Sequence, residues 1–327
     1  MKEKVMITGA SGFLGFHLIE SALKNNMEVY AAVRKSSNIK HLEHLPVSFT
    51  YPDFNSVENL QQEIESKQYD YIIHAAGVTK AKGPDDYNTV NVNFTYNLAK
   101  ASEQAKAPVK KFVFISSLAA LGPLDDFTGT INEATAPMPI TSYGRSKLTA
   151  EEKIGVLAIP LIILRPTAVY GPRDKDIFIF FKAIKKGLEP YIGKTRQQLS
   201  FVYVKDVATA AVNALQSGCN GIYNLSDGNI YSRYDLGKYL KESLQQKTFR
   251  FHLSAGLVKA LAVSLETSFK IFNKIPTLNK EKVNELNAAN WICSIEKAKN
   301  ELGFNPVYDL ETGVKESVEW YKEFKWL

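Results

Sequence analysis

The sequence predicts an α/β protein built on a doubly wound parallel sheet, followed by a smaller, mostly helical C-terminal region. Two observations support this. Short apolar runs alternate with helix-like segments through the first half of the chain, and the runs are continuously apolar, as in strands that are buried on both faces. Because crossovers between parallel strands are right-handed, helices then cover both faces of the sheet.

The predicted elements follow one another in the first 165 residues. Strands are expected at 5–8, 29–33, 47–51, 71–74, 112–116 and 161–164, and helices begin near Leu14, Val57, Tyr87 and Tyr143. After residue 166 the alternation weakens, but 201–204 and 221–225 are predicted to return to the first domain as strands. We therefore expect a sheet domain of residues 1–165 with about 200–228, and a second domain of residues 166–199 and 229–327.

Composition narrows the function classes. The 327 residues carry 40 Lys+Arg and 34 Asp+Glu, a net charge of +6, but the basic clusters are short and stand beside no nucleic-acid motif, so nucleic acid is not expected as a partner. Two cysteines provide neither a disulfide framework nor a zinc set, and we expect no metal.

No signal-peptide core precedes the first strand. The most apolar segment, 253–272, is interrupted by Lys259, Glu266 and Lys270 and is interpreted as amphipathic. We therefore expect a cytoplasmic protein without an integral membrane segment, and peripheral contact with a membrane stays open.

A glycine-rich loop follows the first strand. Residues 5–15 read VMITGASGFLG, with Gly9 for a tight turn, Gly12 for close approach of backbone N–H groups to a pyrophosphate, and Gly15 for close packing of helix on strand. The helix N-terminus adds donors and partial positive charge. A strand before the loop and a helix after it make this a strong signal for a dinucleotide-binding Rossmann domain.

The end of the second strand indicates which dinucleotide binds. An acidic residue there binds the ribose of NAD, whereas an arginine accommodates the 2′-phosphate of NADP. Here the strand is followed by Arg34, Lys35, Ser36 and Ser37, without an acid. NADP(H) is therefore the predicted cofactor and NAD(H) the alternative; a solvated surface pair would explain the same two cations.

Candidate acid–base residues lie in TSYGRSK, residues 141–147. Tyr143 and Lys147 are four apart, so on a helix they share one face. A nearby ammonium favours the phenolate, which lets a tyrosine exchange protons near neutral pH. Ser116 and Ser117 follow the 112–116 strand at the edge where such sheets bind ligands, so a serine hydroxyl can hydrogen-bond the reacting oxygen.

These motifs, together with several others, support a family resemblance along nearly the whole chain. They are TGASGFLG (8–15), Asp53-Phe54, HAAG (74–77), SSLAALG (116–122), TSYGRSK (141–147), RPTAVYGP (165–172), FVYVKDVA (201–208) and GIYNLSDG (221–228). They resemble the extended short-chain dehydrogenases/reductases, also called the NAD-dependent epimerase/dehydratase family. The resemblance implies a catalytic triad of Ser117, Tyr143 and Lys147, and a homodimer joined through the helices after Tyr87 and Tyr143.

The resemblance also implies binding residues. For NAD(P) these are Gly9, Ser11, Gly12, Phe13, Leu14, Gly15, Arg34, Lys35, Asp53, Phe54, Ala75, Ala76, Gly77, Ser116, Tyr143, Lys147, Pro166 and Val169. Candidate residues for a small-molecule substrate are Thr79, Ser117, Leu118 and Thr167, although Thr79 and Thr167 are equally compatible with ordinary loop positions. Asn91 and Asn93 are interpreted either as helix caps or as members of a cofactor or proton-relay site.

Two positions depart from the sugar-nucleotide members of the family. Where those members usually carry an asparagine and an arginine for the substrate pyrophosphate, this chain has Ala168 and Leu199, with Lys194 and Arg196 upstream. Leu121 and the apolar helix 257–265 look similar to the hydroxysteroid dehydrogenase and dihydroflavonol reductase branch. The sequence thus predicts hydride transfer between nicotinamide C4 and a secondary alcohol or ketone carbon. The alternatives are a nucleoside-diphosphate-sugar epimerase or dehydratase that recycles a tightly bound cofactor, and a non-catalytic NADP-sensing protein.

Overall fold

A parallel sheet forms the centre of the structure. The computed structural model describes residues 2–271 and 279–327. Within these residues the strands are β1 (Lys4–Thr8), β2 (Glu28–Ala32), β3 (Ser48–Thr50), β4 (Tyr71–His74), β5 (Lys111–Ile115), β6 (Leu161–Pro166), β7 (Ala168–Tyr170), β8 (Leu188–Ile192), β9 (Gln198–Leu199), β10 (Phe201–Tyr203), β11 (Gly221–Leu225), β12 (Tyr231–Ser232) and β13 (Phe249–Leu253). Among these residues seven strands form the sheet, in the order β11-β6-β5-β4-β1-β2-β3. The strand order reverses beside β1, which confirms the predicted doubly wound α/β fold.

Helices cover both faces of this sheet. The helices of the described residues are α1 (Phe13–Lys24), α2 (Val57–Lys67), α3 (Pro84–Tyr87), α4 (Phe94–Gln104), α5 (Ser142–Gly155), α6 (Phe178–Lys185), α7 (Val204–Leu215), α8 (Asp235–Leu244), α9 (Ala255–Ile271), α10 (Lys280–Asn287), α11 (Glu296–Leu302) and α12 (Leu310–Glu323). Helices α1 and α7 lie on one face and α2, α4 and α5 on the other. A π-helical turn, Asn88–Asn93, joins α3 to α4, and a 3₁₀ turn, Leu118–Ala120, follows β5.

Alternate side chains of each strand enter different cores. On β1, Val5 and Ile7 pack with residues of α1 and α7, whereas Met6 packs with residues of α2, α4 and α5. All three are fully buried, which is why the strand is continuously apolar.

One predicted strand does not join the central sheet. Residues 201–204 were expected to return to the first domain, but β10 pairs in parallel with β7 in a separate two-stranded sheet, and Val204 already begins α7. The other predicted return is present, since β11 pairs with β6 at the sheet edge. The register of that pairing extends β6 to Pro166, two residues beyond the predicted end.

The C-terminal elements form a second layer beside the sheet. β9 pairs with β12, β8 pairs with β13, and an aromatic core that includes Phe178, Phe181 and Tyr321 joins α6 to α12. The two-domain division stays a prediction. No helix in the described part of the chain is long and apolar enough to cross a membrane. Phe272, the end of the predicted amphipathic segment, lies outside the described residues.

Candidate active site

The glycine loop has the close contacts that its sequence predicts. Gly9 has a φ of +68°, and a Cβ there would lie 2.7 Å from the Ala75 carbonyl oxygen. A Cβ on Gly15 would lie 2.1 Å from the Gly9 carbonyl oxygen, so helix α1 rests directly on the loop. The Gly12 N–H donates to the Gly9 carbonyl at 2.9 Å and closes the turn. Any side chain at Gly9 or Gly15 would therefore displace the backbone.

The start of α1 is open to an anion. Gly12 is exposed and occupies the N-cap position, where no side chain of the described residues caps the helix. Ser11, Phe13 and Leu14 beside it are partly exposed. Free N–H groups at a helix N-terminus suit a phosphate, so these residues fit the pyrophosphate of a dinucleotide.

The residues predicted to select the cofactor surround the ends of β2 and β3. Arg34 and Lys35 are exposed just after β2, and neither belongs to an ion pair within the described residues. Asp53 is exposed and accepts hydrogen bonds from the side chain and backbone of Asn55 and from the Asn59 side chain, which lower the pKa of its carboxyl group. The Phe54 ring stacks on the ring of Phe94, and the two ring centroids lie 5.8 Å apart.

A hydrogen-bond chain ties the loop after β4 to the sheet. The Thr8 hydroxyl accepts from the Ala76 N–H at 3.0 Å and meets His74 Nδ1 at 2.8 Å, while His74 Nε2 meets the Thr95 hydroxyl at 2.9 Å. Burial lowers the pKa of His74 to about 3, so the ring is neutral. This chain fixes the backbone of Ala75 and Ala76, which lies against Gly9.

Asn91 holds the next part of that loop. Its Oδ1 accepts from the Val78 N–H at 2.8 Å, and its Nδ2 donates to the Val78 carbonyl at 3.0 Å and to the Ser146 hydroxyl at 2.9 Å. A Cβ on Gly77 would lie 3.1 Å from Asn91 Oδ1 and 3.3 Å from Lys147 Nζ. The capping interpretation of Asn91 and Asn93 is wrong, because Asn91 lies inside the π turn and the Asn93 side chain caps nothing.

Ser117, Tyr143 and Lys147 lie at the carboxyl end of β5. Thr141 caps α5, which places Tyr143 in its first turn and Lys147 one turn later. Lys147 is buried, donates to the Ile115 carbonyl at 2.9 Å, and lies 4.8 Å from the centroid of the Phe114 ring. The strand end, the 3₁₀ turn and the helix therefore bring the three predicted side chains to one place.

The pKa values of this group have opposite shifts. Burial raises the pKa of Tyr143 to about 12; a hydrogen bond with Ser117 lowers it, and the Glu285 carboxylate raises it. Burial lowers the pKa of Lys147 to about 8, with Glu151 acting in the other direction. Desolvation disfavours the charged form of both groups, so a proton on Tyr143 is held tightly while one on Lys147 is held weakly.

Ser116 has a different neighbourhood from Ser117. It is buried, and its hydroxyl donates to the Glu151 carboxylate. The same carboxylate forms a buried ion pair with Arg165 on β6, in which Nη2 lies 2.5 Å from Oε2. Ser116 therefore connects β5 to α5 and β6, and its predicted cofactor contact would have to come from its backbone.

The remaining predicted residues differ in exposure. Thr79 is exposed and Leu118 lies in the core, while the Thr167 hydroxyl is buried without a hydrogen-bond partner in the described structure. Pro166 ends β6 in a buried position, and Val169 is partly exposed on β7. An unpaired buried hydroxyl at this edge is available to a ligand.

The positions that depart from the sugar-nucleotide pattern can also be located. Ala168 is exposed and Leu199 is partly exposed. The Arg196 guanidinium lies 4.9 Å from the centroid of the Phe127 ring. Neither departing side chain can pair with a diphosphate charge.

Sequence reasoning missed a histidine and an arginine near the glycine loop. His41 has a hydrogen bond to the Ser11 backbone, and burial together with the nearby Arg173 lowers its pKa. Arg173 has a φ of +75°, and its guanidinium lies 4.1 Å from the centroid of the Phe16 ring on α1. The only sequence signal was the GPR turn at 171–173, which does not reveal a contact with a helix some 150 residues earlier.

Sequence reasoning also missed the acidic helix beside Tyr143. Glu281 on α10 accepts from the Ser142 N–H at 2.7 Å and from the Ser142 hydroxyl at 2.9 Å, and pairs with Arg145 at 2.7 Å. This anchors α10 to the start of the helix that carries Tyr143. Glu285 follows one turn later, and its carboxylate acts on Tyr143.

An open glycine loop and a Ser–Tyr–Lys group at the carboxyl edge of a doubly wound sheet define the class of extended short-chain dehydrogenases/reductases. The chain belongs to the NAD-dependent epimerase/dehydratase family, whose model matches residues 5–226.

Relatives along almost the full length have different activities. A UDP-glucose 4-epimerase of Vibrio cholerae is 26% identical, covering 98% of this chain and 95% of that protein. A ceramide reductase of Caulobacter vibrioides is 25% identical, covering 99% of this chain and 96% of that protein. A decarboxylating sterol-4-alpha-carboxylate 3-dehydrogenase of Candida albicans is 26% identical, covering 98% of both.

Solved structures share the fold. A UDP-glucose 4-epimerase from Thermotoga maritima, crystallised with UDP-glucose, has a TM-score of 0.81 and 22% identity, covering 98% of this chain and 99% of that one. The enzyme WbmG of Bordetella bronchiseptica, in complex with NAD and UDP, has a TM-score of 0.80 and 20% identity, and the match covers 99% of this chain and 96% of that one.

Proposed function

We propose that this protein is an NAD(P)-dependent oxidoreductase that interconverts a secondary alcohol and a ketone in an apolar substrate. The observation that supports it best is the grouping of Ser117, Tyr143 and Lys147 beside the Ile115 carbonyl, at the sheet edge that also holds the glycine loop. Nicotinamide, when bound, supplies or accepts the hydride at the substrate carbon.

The protein's own residues handle the proton and the orientation of the substrate. Tyr143 transfers the proton to or from the substrate oxygen, and Ser117 donates a hydrogen bond to the same oxygen. Lys147 holds a positive charge one turn away, which favours the phenolate when the proton leaves Tyr143. Gly77 leaves room beside Lys147 Nζ, since a Cβ there would lie 3.3 Å away.

The charges around Tyr143 favour a substrate without a diphosphate. Glu281 and Glu285 lie on the α10 side, while Ala168 and Leu199 occupy the positions where sugar-nucleotide relatives pair with phosphate. Each charge-assisted bond that is absent would cost such a substrate roughly 1.5–3 kcal/mol. By analogy with the ceramide reductase and the sterol dehydrogenase, we propose a long-chain or ring-containing lipid ketone or alcohol.

We propose NADP(H) as the preferred cofactor. Arg34 and Lys35 stand exposed at the end of β2, with no acidic side chain beside them in the sequence. Arg173 adds a positive charge near the start of α1, where its guanidinium lies against Phe16. NAD(H) binding requires only the loop and the uncapped α1, so it is compatible with the same site.

Replacing Tyr143 with phenylalanine tests the proposed chemistry. Tyr143→Phe removes the proton donor while keeping the ring, so we expect turnover of a lipid ketone to fall at least 10³-fold. Cofactor affinity, measured by nucleotide fluorescence titration, should change less than threefold. Tyr87→Phe is the matched control, since Tyr87 is a neighbouring phenol whose ring centroid lies 6.4 Å from that of Tyr143. Normal turnover by Tyr143→Phe would refute the assignment.

Replacing Arg34 with alanine tests the cofactor preference. Arg34→Ala should weaken NADP(H) binding at least tenfold and leave NAD(H) binding unchanged, because only the 2′-phosphate pairs with the guanidinium. Calorimetric titration of both cofactors measures this. Lys24→Ala, another exposed cation at the far end of α1, serves as the control. Equal weakening of the two cofactors would contradict the 2′-phosphate assignment.

A second candidate is a sugar-nucleotide epimerase or dehydratase. It is favoured by the Vibrio cholerae relative, which is an epimerase at 26% identity. Purified protein incubated with UDP-glucose and no added cofactor distinguishes the two. Redox-neutral conversion of the sugar would favour the epimerase, whereas conversion of a lipid ketone coupled to NADPH loss would favour our proposal.

A further inference from the structure

The ribbon formed by β8 and β13 has its polar and apolar faces reversed. On the inner face, the Glu189 side chain is 1% exposed and pairs with Arg250 at 2.9 Å and with Lys241 at 3.0 Å. On the outer face, Leu188 is 45% and Phe249 71% exposed. A sheet with one solvated face normally turns its apolar residues inward, so the outer face is suited to an apolar environment.

The register places three apolar pairs on the outer face, where Leu188, Phe249 and Leu253 are exposed while Ile192 packs against the apolar cluster shared by α9 and α10. Leu188 pairs with Phe249, Pro190 with Phe251 and Ile192 with Leu253. Paired residues of neighbouring strands point to the same face, so six apolar side chains alternate with Glu189, Tyr191, Arg250 and His252 on the inner face.

Helix α9 extends the apolar surface. It begins two residues after β13, and Leu257 and Leu261, one turn apart, are 66% and 56% exposed. The neighbouring stripe of the helix is packed, since Val258 and Ala262 are buried against Val283 of α10. We call the exposed side chains of Leu188, Phe249, Leu253, Leu257 and Leu261 the apolar face.

Lysines stand at one end of this face. Lys185 and Lys186 precede β8, and Lys247 precedes β13; all three are exposed, and none belongs to an ion pair in the described part of the chain. The two strand starts are adjacent, because the Phe249 N–H donates to the Gly187 carbonyl at 2.8 Å. These cations complement anionic headgroups, whereas a second copy of the chain would add like charges.

We propose that the apolar face docks on the surface of an anionic lipid bilayer. Phe249, Leu253, Leu257 and Leu261 enter the boundary between headgroups and acyl chains, α9 lies in the plane of the interface, and Lys185, Lys186 and Lys247 contact the headgroups.

The docked face is close to the active site. α10 packs beneath α9 through Val283, and its Glu281 is anchored to Ser142, the residue before Tyr143. If the proposed function holds, a lipid substrate passes from the bilayer to Tyr143 over one helix. The docking itself is independent of that function, and its test measures no turnover.

Vesicle flotation of the full chain tests the docking. Vesicles of phosphatidylcholine with 30% phosphatidylglycerol are compared with pure phosphatidylcholine. The apolar variant is Phe249→Thr/Leu257→Gln/Leu261→Gln and the charge variant is Lys185→Glu/Lys186→Glu/Lys247→Glu. The matched control, Val156→Gln/Ile230→Gln/Val307→Gln, changes three other side chains that are 60–83% exposed. Circular dichroism and the melting temperature verify that each variant folds.

The proposal predicts a clear ranking. Wild type and control should bind anionic vesicles at least tenfold more tightly than neutral ones, and both other variants should lose at least tenfold of that affinity. The charge variant's loss should shrink at high salt. Absence of vesicle binding by wild type, or equal loss in the control, would overturn the proposal. So would light scattering that shows a dimer dispersed by the apolar variant without any vesicle binding, since a second copy would then cover the face.

Discussion

Single residues at the centre of the site carry charge at a free-energy cost. Lys147 is 4% exposed and its ammonium contacts one carbonyl and one aromatic ring, so burial lowers its pKa to about 8 from an ordinary 10.5. Its position four residues after Tyr143 was predictable from the sequence, because helical spacing is a local property. Its burial was not, since Phe114 and Ile115 come from a distant strand.

This burial predicts a pH dependence of stability. Between pH 8 and about 10.5 the unfolded chain keeps the Lys147 proton that the folded protein has lost, so stability rises with pH there. The free energy of unfolding of wild type, relative to Lys147→Met, should therefore rise by about 3 kcal/mol across that interval. Urea denaturation at pH 7.5 and pH 10 measures part of it.

The exposed Lys153 on the same helix provides the control for that measurement. Lys153→Met should differ from wild type by the same free energy at both pH values, because the Lys153 side chain is exposed and its replacement removes no buried charge. A gap between wild type and Lys147→Met that stays constant from pH 7.5 to pH 10 would contradict the pKa shift.

Among the elements, the π turn Asn88–Asn93 has the most specific task. π turns inside helices are rare and often occur at functional sites. Here the turn places Asn91 so that one amide satisfies both backbone groups of Val78 and also reaches Ser146 on α5. The loop after β4 and helix α5 are thereby held by a single side chain.

Removing that amide should destabilise the protein and loosen the site. Asn91→Ala leaves buried backbone groups without partners, at about 2–4 kcal/mol in the free energy of unfolding, and should weaken cofactor binding. Denaturation and calorimetric titration measure the two effects. Asn93→Ala, an exposed position in the same turn without a capping bond, should change neither. Equal stability of both variants would show that Asn91 does not hold the loop.

At the scale of the whole molecule, locally encoded features were predictable and long-range ones were not. The sheet, the glycine loop and the Tyr143 helix follow from spacing within short segments. The pairing of β10 with β7, the anchoring of α10 by Glu281 and the contact of Arg173 with Phe16 each join distant segments, which spacing cannot reveal. The homodimer implied by the family resemblance stays a prediction.

The edge position of β11 has a consequence for biosynthesis. Its partner β6 is complete at residue 166, but β11 begins only at residue 221. Six strands of the sheet therefore leave the ribosome before the seventh has been synthesised. During that interval the unpaired edge of β6 can form hydrogen bonds with strands of other nascent chains. Truncation before residue 221 would leave that edge open permanently and favour aggregation.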